Sequence, residues 1–241
     1  NGSAASAREL EGKRAAIQTL ISDISHQTKT PIANILLYAS LLAEGELSPE
    51  QAAQAATLSR QAEKLSFLIQ ALVKASRLET GILQIQKEPG DICETLRRAV
   101  AAVVPDAAVK QIDLFMESSG EVMIDHDGRW TQEAVFNILD NAVKYTESGG
   151  EIHVALTRQE IFLKISISDT GKGIVPERQA EIFTRFYREP EVHDKPGVGI
   201  GLYLARRIME LQKGYIEVES EPGEGAEFHL YLPWRDAQDK V

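Results

Sequence analysis

Residues 137–145 read Asn137-Ile138-Leu139-Asp140-Asn141-Ala142-Val143-Lys144-Tyr145. At about 100° per residue on a helix, Asn137, Asn141 and Lys144 fall within about 60° of one another, and Tyr145 flanks them. Val135, Ile138, Leu139 and Ala142 take the opposite side. Such a helix buries its apolar side and presents two amides and a lysine on the other. Amide oxygens ligate Mg²⁺ and a lysine pairs with phosphate. A plain solvated face is the alternative for this stretch taken alone.

The neighbouring segments supply the layer on which that helix packs. Ile152, Val154 and Leu156, then Ile161, Leu163, Ile165 and Ile167, alternate as half-buried strands do. Ile112–Met116 and Val122–Ile124 read as shorter strands, and Tyr215–Ser220 and Glu227–Leu232 as two last ones joined through Pro222-Gly223-Glu224-Gly225. Helices are expected from Ile92 to Val103, from Thr131 to Tyr145 and from Ile200 to Gln212. This half of the chain therefore reads as mixed α/β.

Upstream the pattern changes. Gly and Pro become frequent only from Lys87 on, which places a domain boundary around Gly81–Gly90. Before it, Ile17, Ile21, Ile24, Thr28, Ile35, Tyr38 and Leu42 recur at helical spacing, with the stripe centred near Ile35 and Ile17. Leu58, Leu65, Leu68, Ile69, Leu72 and Ala75 do the same in a second helix. Gly45 is a stop signal; Ser48-Pro49-Glu50 is a start signal, with Ser at the N-cap and Pro in the first turn. Two helices, each with an apolar stripe, bury little alone, so pairing with a second copy into a four-helix bundle is the natural completion.

Composition narrows the function. The 241 residues are 43% hydrophobic and 26% charged, with 26 basic and 36 acidic residues for a net charge of -10. That balance speaks against nucleic acid or anionic lipid as a partner. One cysteine, Cys93, excludes an internal disulfide and a Cys-rich metal site. The apolar runs, such as Ile32–Leu42, fall short of the roughly 20 residues that span a bilayer, and no cleavable leader is visible. The opening Asn1–Ser6 reads as a vector-derived remnant, which implies a segment upstream.

Three more stretches carry chemistry. In Ser25-His26-Gln27-Thr28-Lys29-Thr30-Pro31, His26 lies roughly 190° from the apolar stripe and so faces solvent, with Thr30 one turn on. Pro31 crowds the carbonyl of Gln27 and is expected to bend the helix beside His26. Most isolated surface histidines are inert, yet an exposed neutral imidazole is able to attack phosphorus. Asp169-Thr170-Gly171-Lys172-Gly173 ends a strand and sets an acceptor carboxylate in a tight turn, which suits the exocyclic amine of adenine and also suits an ordinary turn. Gly197-Val198-Gly199-Ile200-Gly201-Leu202 opens a helix, where glycines let backbone approach phosphate. The stretch Tyr187–Pro196 reads as a mobile lid or a surface loop.

Taken in order, the Pro-flanked histidine, the Asn-x-x-x-Asn helix, Asp-x-Gly-x-Gly, Phe183-Thr184-Arg185-Phe186 and Gly-x-Gly-x-Gly resemble the sensor histidine kinases of two-component systems, from about Arg14 to Trp234. The resemblance implies an α+β chain: a dimerising, histidine-phosphotransfer hairpin over 7–84, then an ATP-binding α/β sandwich over 88–235, with a mixed sheet and helices on one face. The latter is of the type shared with gyrase, heat-shock chaperone and mismatch-repair ATPases. It makes His26 the phosphoacceptor. Asn137 and Asn141 would hold Mg²⁺ and the triphosphate of ATP, Lys144 would contact phosphate, and Tyr145 would pack near the base. Asp169 would accept from the adenine amine between Gly171 and Gly173. Phe183 and Phe186 would anchor the lid, and Gly197, Gly199 and Gly201, with Leu202 beside them, would surround the phosphates. The implied partners are a second copy and the receiver domain of a response regulator. The implied location is cytoplasmic, as the catalytic end of a sensor anchored through an upstream segment.

Two departures and two competing functions accompany the resemblance. Gln27 stands where the family usually has a carboxylate that accepts the imidazole proton, and Gln is no proton acceptor at neutral pH. Thr30 keeps the spacing of the residue that orients water for dephosphorylating the partner, which implies a phosphatase activity as well. Ala226, in the late glycine turn Gly223–Phe228, replaces a common Thr. The competing functions are an ATP-hydrolysing switch without use of His26, and a dimer scaffold that binds nucleotide only as a ligand. Related hydrolases place a Glu where this chain has Asn137, and Glu133 lies a turn too early.

Overall fold

The computed structural model describes residues 2–45, 47–79, 85–117, 120–188 and 199–234. For residues 2–11, 13–18, 20–22, 25–26, 75 and 77–79 it describes the backbone only. The chain divides into two compact units, with the division after residue 84. No described helix is long and apolar enough to cross a membrane.

The first unit is a pair of helices, α1 (Gly2–Ala43) and α2 (Pro49–Glu79). The turn between them is fixed by a reciprocal cap. The Gln51 N–H donates to Ser48 Oγ (3.2 Å), and the Ser48 N–H donates back to Gln51 Oε1 (2.9 Å). Pro31 lies within α1, which continues through it as one helix. The contact between the helices is narrower than the sequence pattern suggests. Ile32 and Ala39 of α1 and Ala55, Ala62 and Val73 of α2 are buried, whereas Ile35, Tyr38, Leu42, Leu58, Leu65 and Leu72 stay exposed. The expected stripe centred on Ile35 is therefore displaced to a heptad-spaced seam through Ile32 and Ala39. Small alanines let two helices approach closely, and two helices cover only one such seam. The side chains of Ile17, Ile21 and Ala75 lie outside the described residues.

The second unit is a two-layer α/β structure. A five-stranded mixed sheet takes the order β2-β4-β5-β7-β6, with β2 (Asp113–Met116) parallel to β4 (Glu151–Arg158) and β5 (Phe162–Asp169), β7 (Gly225–Pro233) and β6 (Tyr215–Glu221) antiparallel in turn. Register puts Leu163, Ile165 and Ile167 opposite Leu232, Leu230 and Phe228. All six are buried on the face toward the helices. The three helices α3 (Ile92–Val109), α4 (Gly128–Tyr145) and α5 (Gly201–Leu211) lie side by side with α4 in the middle. The other sheet face carries Tyr215 stacked on Tyr231 with ring centroids 4.3 Å apart.

Two differences from the sequence reading stand out. Glu88–Asp91 forms β1, which pairs antiparallel with β3 (Met123–His126), and α3 continues through Pro105 to Val109. Asp91 serves both elements: its Oδ1 caps α3 at the Cys93 N–H (3.0 Å) and accepts from the Val122 N–H (2.9 Å). Cys93 itself is 1% exposed, and burial pushes its thiol pKa up.

His126 is also a buried titratable group. Its Nδ1–H donates to the Ile124 carbonyl (3.2 Å), and its Nε2 lies in hydrogen-bond contact with the Thr95 hydroxyl (2.9 Å). Burial lowers its pKa below the ordinary 6.5, against the upward pull of the Ile124 carbonyl and of Asp127, Asp91 and Asp125. The unfolded chain therefore takes up a proton near 6.5 that the folded chain refuses. Its contribution to stability is complete above that value and lost as pH falls toward the lower folded value. Unfolding free energy measured from pH 8 to 5 is expected to fall by up to about 1.4 kcal/mol per pH unit below 6.5 from this group. His126→Gln should flatten that limb; an unchanged slope in the variant would refute the assignment.

Candidate functional site

Helix α4 is capped at its start by Asp127, whose Oδ1 accepts from the Trp130 N–H (3.0 Å). Gln212 at the end of α5 ties the two helices together: its Oε1 accepts from the Asp127 N–H (2.8 Å) and its Nε2 donates to Thr131 Oγ1 (3.0 Å). With the helix held from both sides, its faces divide as the angular spacing requires. Val135, Ile138, Leu139 and Ala142 are buried, and Asn137, Asn141, Lys144 and Tyr145 are half-buried.

At the first end of this polar stripe, the Asn137 Nδ2–H donates to the Glu133 carbonyl (2.7 Å), which directs the amide oxygen outward. A methyl at Gly201 would meet that oxygen at 2.8 Å, so glycine lets the start of α5 come close to Asn137 without displacing its amide. No side chain caps α5 at Ile200, and its first-turn N–H groups and dipole favour an anion there. Gly199, in the left-handed region at φ 74, and half-buried Leu202 complete this end.

The other end is built around Asp169, the last residue of β5. Its Oδ1 accepts from the Gly171 N–H (2.9 Å). Burial raises its pKa above the usual carboxylate value, opposed by the N–H groups of Gly171 and Ala226. A Cβ at Gly171 would strike Asp169 Oδ1 at 2.7 Å and the Tyr145 carbonyl at 2.8 Å, so this glycine brings the carboxylate, the turn and the end of α4 together. Gly173, at φ 70, continues the turn, and the Lys172 ammonium stands 5.3 Å over the Tyr145 ring.

Lys144 forms an ion pair with Asp140, one turn back on α4. Phe183 is buried, edge-on to Phe228 at 6.3 Å and under the Arg206 guanidinium at 5.4 Å. Phe186 is exposed and left-handed (φ 61), and its N–H donates to the Gly199 carbonyl (2.8 Å). It is the Phe186 backbone that meets the glycine loop. Gln27 and Thr30 are exposed on α1. His26 belongs to α1, but its side chain lies outside the described residues, as do Gly197 and the stretch 189–198.

Sequence reasoning brought together one stripe on α4 and three loops, but it missed Lys110. The Lys110 ammonium donates to carbonyls at the end of α4 that lie 33–36 residues further on. No local pattern announces such partners. Among the described residues no group of three His, Cys, Asp or Glu side chains could hold a metal ion. The amide oxygens of Asn137 and Asn141 remain, a sparse hard-oxygen set that fits Mg²⁺, which takes few protein ligands and completes its shell with phosphate oxygens and water.

The family model described as "His Kinase A (phospho-acceptor) domain" matches residues 16–81, and "Histidine kinase-, DNA gyrase B-, and HSP90-like ATPase" matches residues 126–236. The chain belongs to the sensor histidine kinases. Its relatives within that family include the sensor histidine kinase RppB of Synechocystis, 33% identical over 90% of this chain and 49% of that protein. The alginate biosynthesis sensor protein KinB of Pseudomonas aeruginosa is 30% identical over 87% of this chain and 36% of that protein. Among solved structures, full-length ShkA in complex with AMPPNP gives a TM-score of 0.75 at 28% identity, over 91% of this chain and 46% of that one. The chain thus spans half or less of the length of these relatives. It has the family's helical first unit followed by its mixed-sheet ATP-binding domain.

Proposed function

We propose that this chain is the catalytic core of a sensor histidine kinase that binds Mg·ATP along α4 and transfers the γ-phosphoryl group to His26. The observation that carries the reading is the pair of close approaches at the two ends of one polar stripe: Gly201 against Asn137, and Gly171 against Asp169 and Tyr145. Eight residues of helix separate them, about 12 Å. A base pocket with an acceptor carboxylate thus lies at one end and an anion-binding helix start at the other, as an extended nucleoside triphosphate requires. ShkA, which was solved with AMPPNP bound, supports the ligand class.

In this reading Asp169 accepts from the adenine amine, Tyr145 lies by the base, Lys144 contacts phosphate and Phe183 anchors the lid. Asn137 and Asn141 would hold Mg²⁺, which when bound neutralises phosphate charge. An imidazole nitrogen of His26 forms a bond to the γ-phosphorus while the bond from phosphorus to the β,γ-bridging oxygen breaks and ADP leaves. The imidazole proton goes to solvent, because Gln27 cannot take it. The phosphoryl group then passes to an aspartate of a response regulator, and Thr30 serves the reverse loss of phosphate from that partner. The apolar side chains that α1 and α2 leave exposed support a second copy of the chain as their cover. The parent protein would be anchored through an upstream segment, with this core in the cytoplasm.

Incubating the chain with γ-labelled ATP and Mg²⁺ is expected to leave acid-labile phosphate on the protein. Free phosphate without protein label would replace this reading with the hydrolytic switch, and neither product would leave a nucleotide-binding scaffold. The solvent route for the proton makes a second expectation. Gln27→Glu should raise the initial rate of autophosphorylation by about tenfold, less than the roughly 100-fold or more that a fully positioned base contributes, because solvent already takes the proton in the wild type. An unchanged or slower rate would show that Gln27 does not occupy the base position.

A further inference from the structure

The last turn of a helix leaves carbonyls without partners inside the helix, and the negative end of its dipole favours a cation. In α4 that turn carries Lys144 and Tyr145, the two side chains assigned to phosphate and base. The cation that meets it comes from another element. Lys110 caps the end of α3, directly before Gln111 in the left-handed region at φ 55. Its ammonium donates to the carbonyls of Val143 (2.7 Å) and Lys144 (3.2 Å) and also to that of Thr146. Three carbonyls match the three protons of an ammonium. The Lys110 carbonyl in turn accepts from the Gly149 N–H (3.2 Å), which holds the loop that follows. The carbonyl left out of this set, that of Tyr145, faces Gly171, where a Cβ would stand 2.8 Å away. Every carbonyl from 143 to 146 therefore has a fixed neighbour.

The peptide planes of this turn decide where the side chains of Lys144 and Tyr145 leave the helix. We propose that Lys110 is a positioning residue for the nucleotide: by gripping the end of α4 it sets where Lys144 and Tyr145 meet phosphate and base. The inference rests on the reading of α4 as the nucleotide helix. Lys110 meets the stripe residue Lys144 at its carbonyl, and its effect passes through the backbone of residues 143–146.

The test uses the full chain with Mg·ATP, by calorimetric titration and by autophosphorylation kinetics. Lys110→Met is expected to raise the Kd and the KM for ATP about tenfold, while the rate at saturating ATP stays within threefold of the wild type. A change in Kd of threefold or less would overturn the proposal. So would a fall in maximal rate at unchanged KM, which is what a smaller folded fraction produces. If Lys110→Met does not fold, Lys110→Arg decides by the same threshold. It keeps the positive charge at the helix end but offers a planar fork in place of a tetrahedral ammonium. Wild-type chain that binds no Mg·ATP would remove the nucleotide reading itself, and the proposal with it. Wild-type binding with an unaffected Lys110 variant would remove only the role of Lys110.

Discussion

His26→Ala is expected to abolish protein-bound phosphate, to below about 1% of the wild-type level, while Mg·ATP binds within threefold of the wild-type affinity. The two halves of that outcome have separate physical origins. The imidazole is the nucleophile of the proposed reaction, and alanine has no atom that forms a bond to phosphorus. The described residues assigned to the nucleotide, from Asn137 on α4 to Gly201 on α5, belong to the unit that begins at residue 85. Alanine is also the best helix former, so the substitution spares α1. Acid-labile label surviving in the variant would mean another acceptor. Unchanged release of free phosphate in both proteins would favour the hydrolytic switch.

Asp169→Asn is expected to weaken ATP binding by 100-fold or more and to leave the domain as stable as the wild type or more so. The carboxylate serves three donors: the N–H groups of Gly171 and Ala226 and, in the proposed complex, the adenine amine. A carboxamide has one acceptor oxygen, so one donor must face an NH₂ group, and a buried unpaired donor costs about 1–3 kcal/mol. Loss of the charge-assisted bond adds to that. Stability runs the other way. Burial raises the folded pKa of Asp169, so its favourable contribution is complete below the unfolded value of 3.8 and is lost as pH rises through the folded one. At neutral pH the ionised group costs stability, and the neutral amide relieves that cost, as at many functional sites. Thermal melting and calorimetric titration of the same preparation check both halves; undiminished affinity in a folded variant would remove Asp169 from the base pocket.

The parts of this molecule that the sequence displays are those written in local repeats. The strands β4 and β5 alternate, β4 through Ile152 and Val154 and β5 through Leu163, Ile165 and Ile167, and α4 separates amides from aliphatics around its circumference. The glycine-rich segments are visible as composition, although their purpose becomes clear only from what stands behind them: Asn137 behind Gly201, and Tyr145 behind Gly171. The parts that stayed hidden depend on distant partners. The four residues Glu88-Pro89-Gly90-Asp91 have no strand signature and become β1 only because β3 lies alongside. The seam between α1 and α2 runs through Ile32, Val73 and three alanines and leaves Ile35 and Tyr38 exposed, because two helices cover one narrow strip of each apolar stripe. Lys110 is one lysine among several until the end of α4 is folded against it.

The burial of Cys93 has a practical consequence. It is the chain's single thiol, it is 1% exposed, and its ionisation is held back by its surroundings. Since thiolate is the reactive form and access is closed, the native protein is silent toward maleimides and other alkylating labels. A cysteine introduced at exposed Arg206 on α5 would then be the sole handle for a fluorophore, and nucleotide arrival could be followed from one known position without first stripping the protein of its own cysteine.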